Sequence, residues 1–162
     1  MKLSILQAKW QLNLLRSDDI PELATQILET GLESPALIEL AGLISPDRWE
    51  VTPLIEEAFS QESLRPISNE AAQWRLAYET AREIVDGRVT PLEGAVTLWS
   101  LANDLQLPEA LRYFVYLAAD YGEGPRDPEN QRAWFDAKIV ESARELLRME
   151  RPDEAPSLQA DV

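Results

Sequence analysis

Glu79, Glu83 and Asp86 stand at i, i+4 and i+7, a spacing that stacks side chains on one helix face. Carboxylates so placed offer the oxygen-only ligation that magnesium accepts. The chemistry would be magnesium-dependent hydrolysis of a nucleotide phosphate, with these three as metal ligands. Such a site needs a second acidic cluster facing the first and a cation for the phosphates. Asp104 stands alone, and Asp120 with Glu123 falls at a helix end. Arg75 and Arg82 are interleaved with the acids, the pattern of a solvated, ion-paired helix face. The magnesium reading is therefore the alternative and not the leading one.

Other chemistries lose their vocabulary. The 162 residues contain no histidine and no cysteine. That leaves no imidazole base at neutral pH, no thiolate, and neither nitrogen nor sulfur for zinc. A serine nucleophile lacks its histidine, and only Lys2, Lys9 and Lys138 could replace it. Gly122-Glu123-Gly124 lacks the preceding strand and following lysine of a phosphate loop. Asp18-Asp19 precedes Ile20-Pro21 and reads as a helix cap. No cofactor, catalytic residue or metal centre is expected, and the leading reading is not an enzyme.

Charge points elsewhere. The formal net charge is −14, unevenly spread. Residues 1–16 carry three bases and no acid, whereas residues 17–70 hold twelve acids against Arg48 and Arg65. Phosphate backbones and anionic bilayers both require clustered Lys and Arg, so neither nucleic acid nor membrane is expected as a partner. Such acidity either keeps the protein soluble or meets a basic protein partner. In the second case Glu33, Glu39, Glu56 and Glu57 form the candidate surface. Trp49, within Asp47-Arg48-Trp49-Glu50, either plugs a layer of short helices or anchors a partner. A duplex-DNA mimic is a third use of the acids and requires them at regular spacing over an extended face.

The elements that must position these residues are helical throughout. Ser34-Pro35, Ser45-Pro46, Thr52-Pro53 and Thr90-Pro91 each pair a capping hydroxyl with a proline suited to the first helical position. Glu93, three residues after Thr90, completes a capping box. Gly31 and Gly87 follow helical patterns as stops. The periodicity predicts helices over about 3–16, 18–30, 35–43, 53–64, 69–86, 91–105, 108–120 and 128–149, with a turn at Pro46. Inward stripes follow: Leu3, Leu6, Trp10 and Leu14; Trp74, Ala77, Ala81 and Ile84; Leu92, Val96, Trp99 and Ala102; Leu111, Phe114, Val115 and Ala118; Phe135, Ile139, Ala143 and Leu146. Tyr113, Tyr116 and Tyr121 with Phe114 make one helix aromatic on more than one side, which marks either a groove or a helix buried all round. Gly94, inside the first turns of a helix, costs about 1 kcal/mol against alanine and calls for close approach by another backbone, that of the helix ending at Gly87.

The expected fold is therefore an all-α compact bundle of seven to eight helices, short ones at the N-terminus packed on a more regular C-terminal bundle. A single domain spans 1–150, and 151–162, with two prolines and little apolar content, is expected to be a flexible tail. Cysteine-free composition fits a reducing cytoplasm. Gln7, Lys9, Gln11 and Asn13 interrupt the apolar N-terminus, which argues against a signal peptide, and no run reaches the length of a membrane span.

The stretch from Ala81 to Ala95, Ala-Arg-Glu-Ile-Val-Asp-Gly-Arg-Val-Thr-Pro-Leu-Glu-Gly-Ala, resembles a segment of uncharacterised small helical bacterial proteins. Ser34 to Glu57, with Leu40-Ala41-Gly42-Leu43, is similar to the same group, so the likeness covers most of 34–148. It implies a helical fold and a bacterial source, and it brings no activity and no functional residue. The function expected on all these grounds is a non-enzymatic, immunity-like or accessory module that recognises a basic protein.

Overall fold

A computed structural model describes residues 1–122 and 128–150. The tail expected at 151–162 and most of the loop expected between Gly122 and Pro128 lie outside them. Eight α-helices and no strand occur among the described residues. They are α1 Leu3–Gln11, α2 Ile20–Leu28, α3 Pro35–Ala41, α4 Arg48–Gln61, α5 Asn69–Val85, α6 Pro91–Asp104, α7 Glu109–Gly122 and α8 Pro128–Leu146. A 3₁₀ turn, Ser17–Asp19, leads into α2. The fold is all-α, as the periodicity predicts. No helix among the described residues is long and apolar enough to cross a membrane. Contacts group the chain into two compact units, Met1–Ala72 and Gln73–Val162.

The first unit is built on short helices, which gain their stability from packing and not from propensity. Leu3 and Leu6 of α1, Ile20 and Ile27 of α2, Leu37 and Leu40 of α3, and Val51 and Ile55 of α4 form its buried core. Helix α1 stops earlier than expected. Asn13 adopts a left-handed conformation (φ 54°), which asparagine tolerates better than most residues. Leu14, assigned to the inward stripe, is exposed in consequence.

Helix α4 is the larger departure. The sequence reading starts it at Pro53 and puts a separate turn before it. In the structure one helix begins at Arg48, because Asp47 and Glu50 close a capping box: the Asp47 carboxylate accepts from the amides of Trp49 (2.8 Å) and Glu50 (2.9 Å), and Glu50 accepts from the Asp47 amide (2.9 Å). Pro53 then falls inside the helix, where it lacks the amide for the i−4 bond. Val51 before it and Ile55 and Ala58 after it are buried, and this burial offsets the lost bond.

The second unit follows its predicted stripes closely. Ala77, Ala81 and Ile84 of α5, Leu111 and Phe114 of α7, and Phe135, Ile139, Ala143 and Leu146 of α8 are all buried. Helix α6 alone is rotated from expectation: Ala95, Leu98, Leu101 and Ala102 face inward and Val96 faces solvent. Gly94 accounts for the rotation. A Cβ there would lie inside the envelope of Ile84 Cγ1 and Cδ1, so this side of α6 presses on α5. The helix named by the sequence reading is the correct neighbour, but the close approach is by a side chain and not by backbone.

Candidate functional site

The predicted magnesium ligands are held by arginines. Gly87 (φ 70°) ends α5, with its amide and that of Arg88 bonded back to Ile84 and Glu83 carbonyls. The reversal swings Arg88 over the face it has just left. Its guanidinium lies 3.5 Å from Glu79, 3.8 Å from Glu83 and 3.1 Å from Asp86, and Arg82 pairs with Glu79 at 2.6 Å. The Glu79 side chain retains only 12% exposure. Cations of the chain itself thus neutralise this helix face. Among the described residues no group of three or more acids is arranged to hold a metal ion. Glu79, Glu83 and Asp86, the alternative metal ligands of the sequence, thus stand in an ion-pair cluster with Arg82 and Arg88. No local pattern marks Arg88, which lies beyond the helix stop.

The proposed interaction residues present a different picture. Trp49 is 88% exposed, so it does not plug the core. Its backbone is nevertheless fixed, being the second residue of α4 and bonded to the Asp47 cap. Next to it, Arg48 places its guanidinium 4.4 Å from the centroid of the Trp10 ring and donates to Asn13 Oδ1 at 2.8 Å. These contacts tie the start of α4 to the end of α1. Ile44, five residues earlier, is 92% exposed, and Ile38 on α3 also faces solvent. All three lie in the first unit.

The candidate acids lie in the same unit. Glu33, Glu39, Glu56 and Glu57 are all exposed. Among the described residues none of the four has a cation within ion-pair distance. Glu57 accepts from Gln61 Nε2 at 3.0 Å, and Gln61 Oε1 in turn accepts from Ser34 Oγ at 2.7 Å. Ser34 is buried and caps α3 through the Leu37 amide. This chain of bonds joins the end of α4 to the start of α3.

Sequence reasoning missed a groove of about 440 Å³ between α1 and α4. Gln7, Trp10, Glu56, Phe59, Leu64 and Pro66 line it. Gln7 Nε2 donates to the Arg65 carbonyl (2.9 Å) and Gln11 Nε2 to Asn69 Oδ1 (2.9 Å), which holds the 64–69 segment against α1. Ser63 (φ 55°) turns the chain there, and the Leu64 amide returns to the Phe59 carbonyl at 2.8 Å. Glu56 is the only predicted residue on this wall.

In the second unit, Tyr113 and Tyr116 are exposed while Phe114 is buried, so α7 is not buried all round. Tyr113 lines a smaller groove of about 360 Å³ with Glu145 and Met149, in line with the groove reading of the aromatic helix. Tyr121 and Trp134 both pack on Phe135, with centroids 5.5 and 5.0 Å apart. Partial burial raises the Tyr121 phenol above its ordinary range, and Asp136 adds to the shift. No family model matches the chain, and neither a curated protein nor a solved structure matches it.

Proposed function

We propose that this protein is a non-enzymatic interaction module, of immunity or accessory type, whose residues 1–72 recognise a basic protein partner. The observation that carries the reading is Trp49: a large ring exposed to solvent on a backbone locked by a capping box, in a unit whose Glu33, Glu39, Glu56 and Glu57 are exposed and without an ion pair. Tryptophan is the residue type most enriched among binding hot spots. The acids steer a cationic partner to the surface, and the ring anchors it once there. The bacterial source implied by the resemblance, a cytoplasmic site and the absence of catalysis belong to the same proposal.

The test uses partner capture from cells of the source organism. Reversing Glu33, Glu39, Glu56 and Glu57 to lysine leaves the helical circular dichroism intact and abolishes capture. Trp49→Ala weakens affinity by about 30-fold, the scale of a 2 kcal/mol hot spot. Raised salt slows association of the native protein. Undiminished capture by the four-fold reversal removes the proposal.

A further inference from the structure

Resting on that reading, we infer that the groove between α1 and α4 seats a basic amphipathic helix of the partner, laid along α4 with its apolar side chains in the groove and its cations over Glu56. Helix geometry supplies the track. At about 100° per residue, Trp49, Glu56 and Ser60 (i, i+7, i+11) fall on one stripe of α4. All three are exposed, and Glu56 and Ser60 line the groove. From Trp49 to Ser60 is about 16 Å along the axis, three turns of a partner helix. The exposed ring and the groove are two ends of one surface.

The walls choose the chemistry of the occupant. Trp10, Phe59 and Leu64 offer apolar contact, and the groove volume falls within the usual range for ligand sites. Helices border the groove on both sides, and no strand among the described residues offers an edge for an extended peptide to join. An amphipathic helix presenting anchors at i, i+4 and i+7 is the form that fits between two helices. Charge sets its sign. Arg48, the cation beside Trp49, is already engaged with Trp10 and Asn13, so Glu56 is left for a cation from outside. The surplus of acids over residues 17–70 repels an acidic helix.

The probes are three labelled synthetic peptides added to the full chain: an amphipathic helix of leucine and lysine, the same pattern in leucine and glutamate, and a lysine–serine peptide of equal charge. Fluorescence anisotropy gives the affinities. The leucine–lysine helix binds, the lysine–serine peptide binds at least about ten-fold more weakly, and the leucine–glutamate helix does not bind. Ser60→Phe, an exposed position that fills the groove, and Glu56→Lys each weaken the leucine–lysine helix by about ten-fold or more. Glu22→Lys, a charge-matched change on α2, has little effect, and circular dichroism verifies each fold. Equal binding of the two lysine peptides, no binding of the leucine–lysine helix, or indifference to Ser60→Phe and Glu56→Lys overturns the inference. If the groove variants are silent while Trp49→Ala and the four-fold reversal still abolish capture, the interaction module stands and only the groove falls. If all are silent, both fall.

Discussion

The two units use the same parts and spend their charge differently. Around α5, carboxylates are neutralised internally: Arg82 and Arg88 bind Glu79, Glu83 and Asp86, and Lys138 pairs with Glu141 on α8. Around α3 and α4, Glu33, Glu39, Glu56 and Glu57 are exposed without an ion pair, in the same unit as the exposed Ile38, Ile44 and Trp49. Acid count alone does not separate an ion-paired face from an unpaired one. The separating variable is whether the fold brings its own cations to the acids. Where it does, the carboxylates are neutralised within the chain, and where it does not, they keep their charge toward solvent.

The strongest way to break the comparison is to damage one core and watch the other. Leu37→Ala in the first unit costs about 2–5 kcal/mol and Phe114→Ala in the second about 3–5 kcal/mol, since both side chains are fully buried. Hydrogen exchange read by mass spectrometry places the loosening from Leu37→Ala in 1–72 and that from Phe114→Ala in 73–150. A uniform rise across both regions from either change erases the division into units.

A middle-sized effect probes tightness. Gly94→Ala drives a methyl into Ile84 and destabilises the second unit by about 1–3 kcal/mol in denaturant titration. In the background of Ile84→Ala the same substitution is close to neutral or favourable, because the obstructing carbons are gone. Additive costs in that double-mutant cycle refute the clash as the cause.

The smallest effects come from two caps of one design. Asp47→Ala at α4 and Thr90→Ala at α6 each cost about 1 kcal/mol. The α6 cap carries a pH signature. Hydrogen bonds from the Thr90 hydroxyl and amide hold the Glu93 carboxyl below its ordinary range. Its stabilisation is therefore fully present above the titration range of the unfolded carboxyl and is lost as pH falls through the lowered range of the folded one. Thr90→Val flattens that acid limb of the stability profile, and an unchanged limb disconnects the cap from it.

Most of the helical layout was legible because it rests on local chemistry. Thr90-Pro91 with Glu93 reads directly as a start, and Phe135, Ile139, Ala143 and Leu146 read directly as a stripe. The misplacement of α4 shows the limit of that grammar. Thr52-Pro53 has the form of a helix start, yet Asp47 with Glu50 is a better one five residues earlier, and the earlier cap prevails because Val51 is then buried with Ile55. Moving the start also puts Trp49 on the helix and turns it outward. The spacing of the carboxylate triad was legible but its ion pairing with Arg88 was not, since Arg88 returns to it only through the left-handed Gly87. The groove depends on contacts spanning 58 residues, such as Gln7 to Arg65, which no local pattern encodes.

Pro53 leaves something behind at the root of the exposed indole. The amide that would ordinarily take up the Trp49 carbonyl through the i−4 bond does not exist, because the residue four places on is an imino acid. The proline ring takes the place of that donor against the Trp49 carbonyl, so the turn that carries the exposed indole is held by the Asp47 cap in front of it and by the burial of Val51 and Ile55 instead of by a full ladder of backbone bonds.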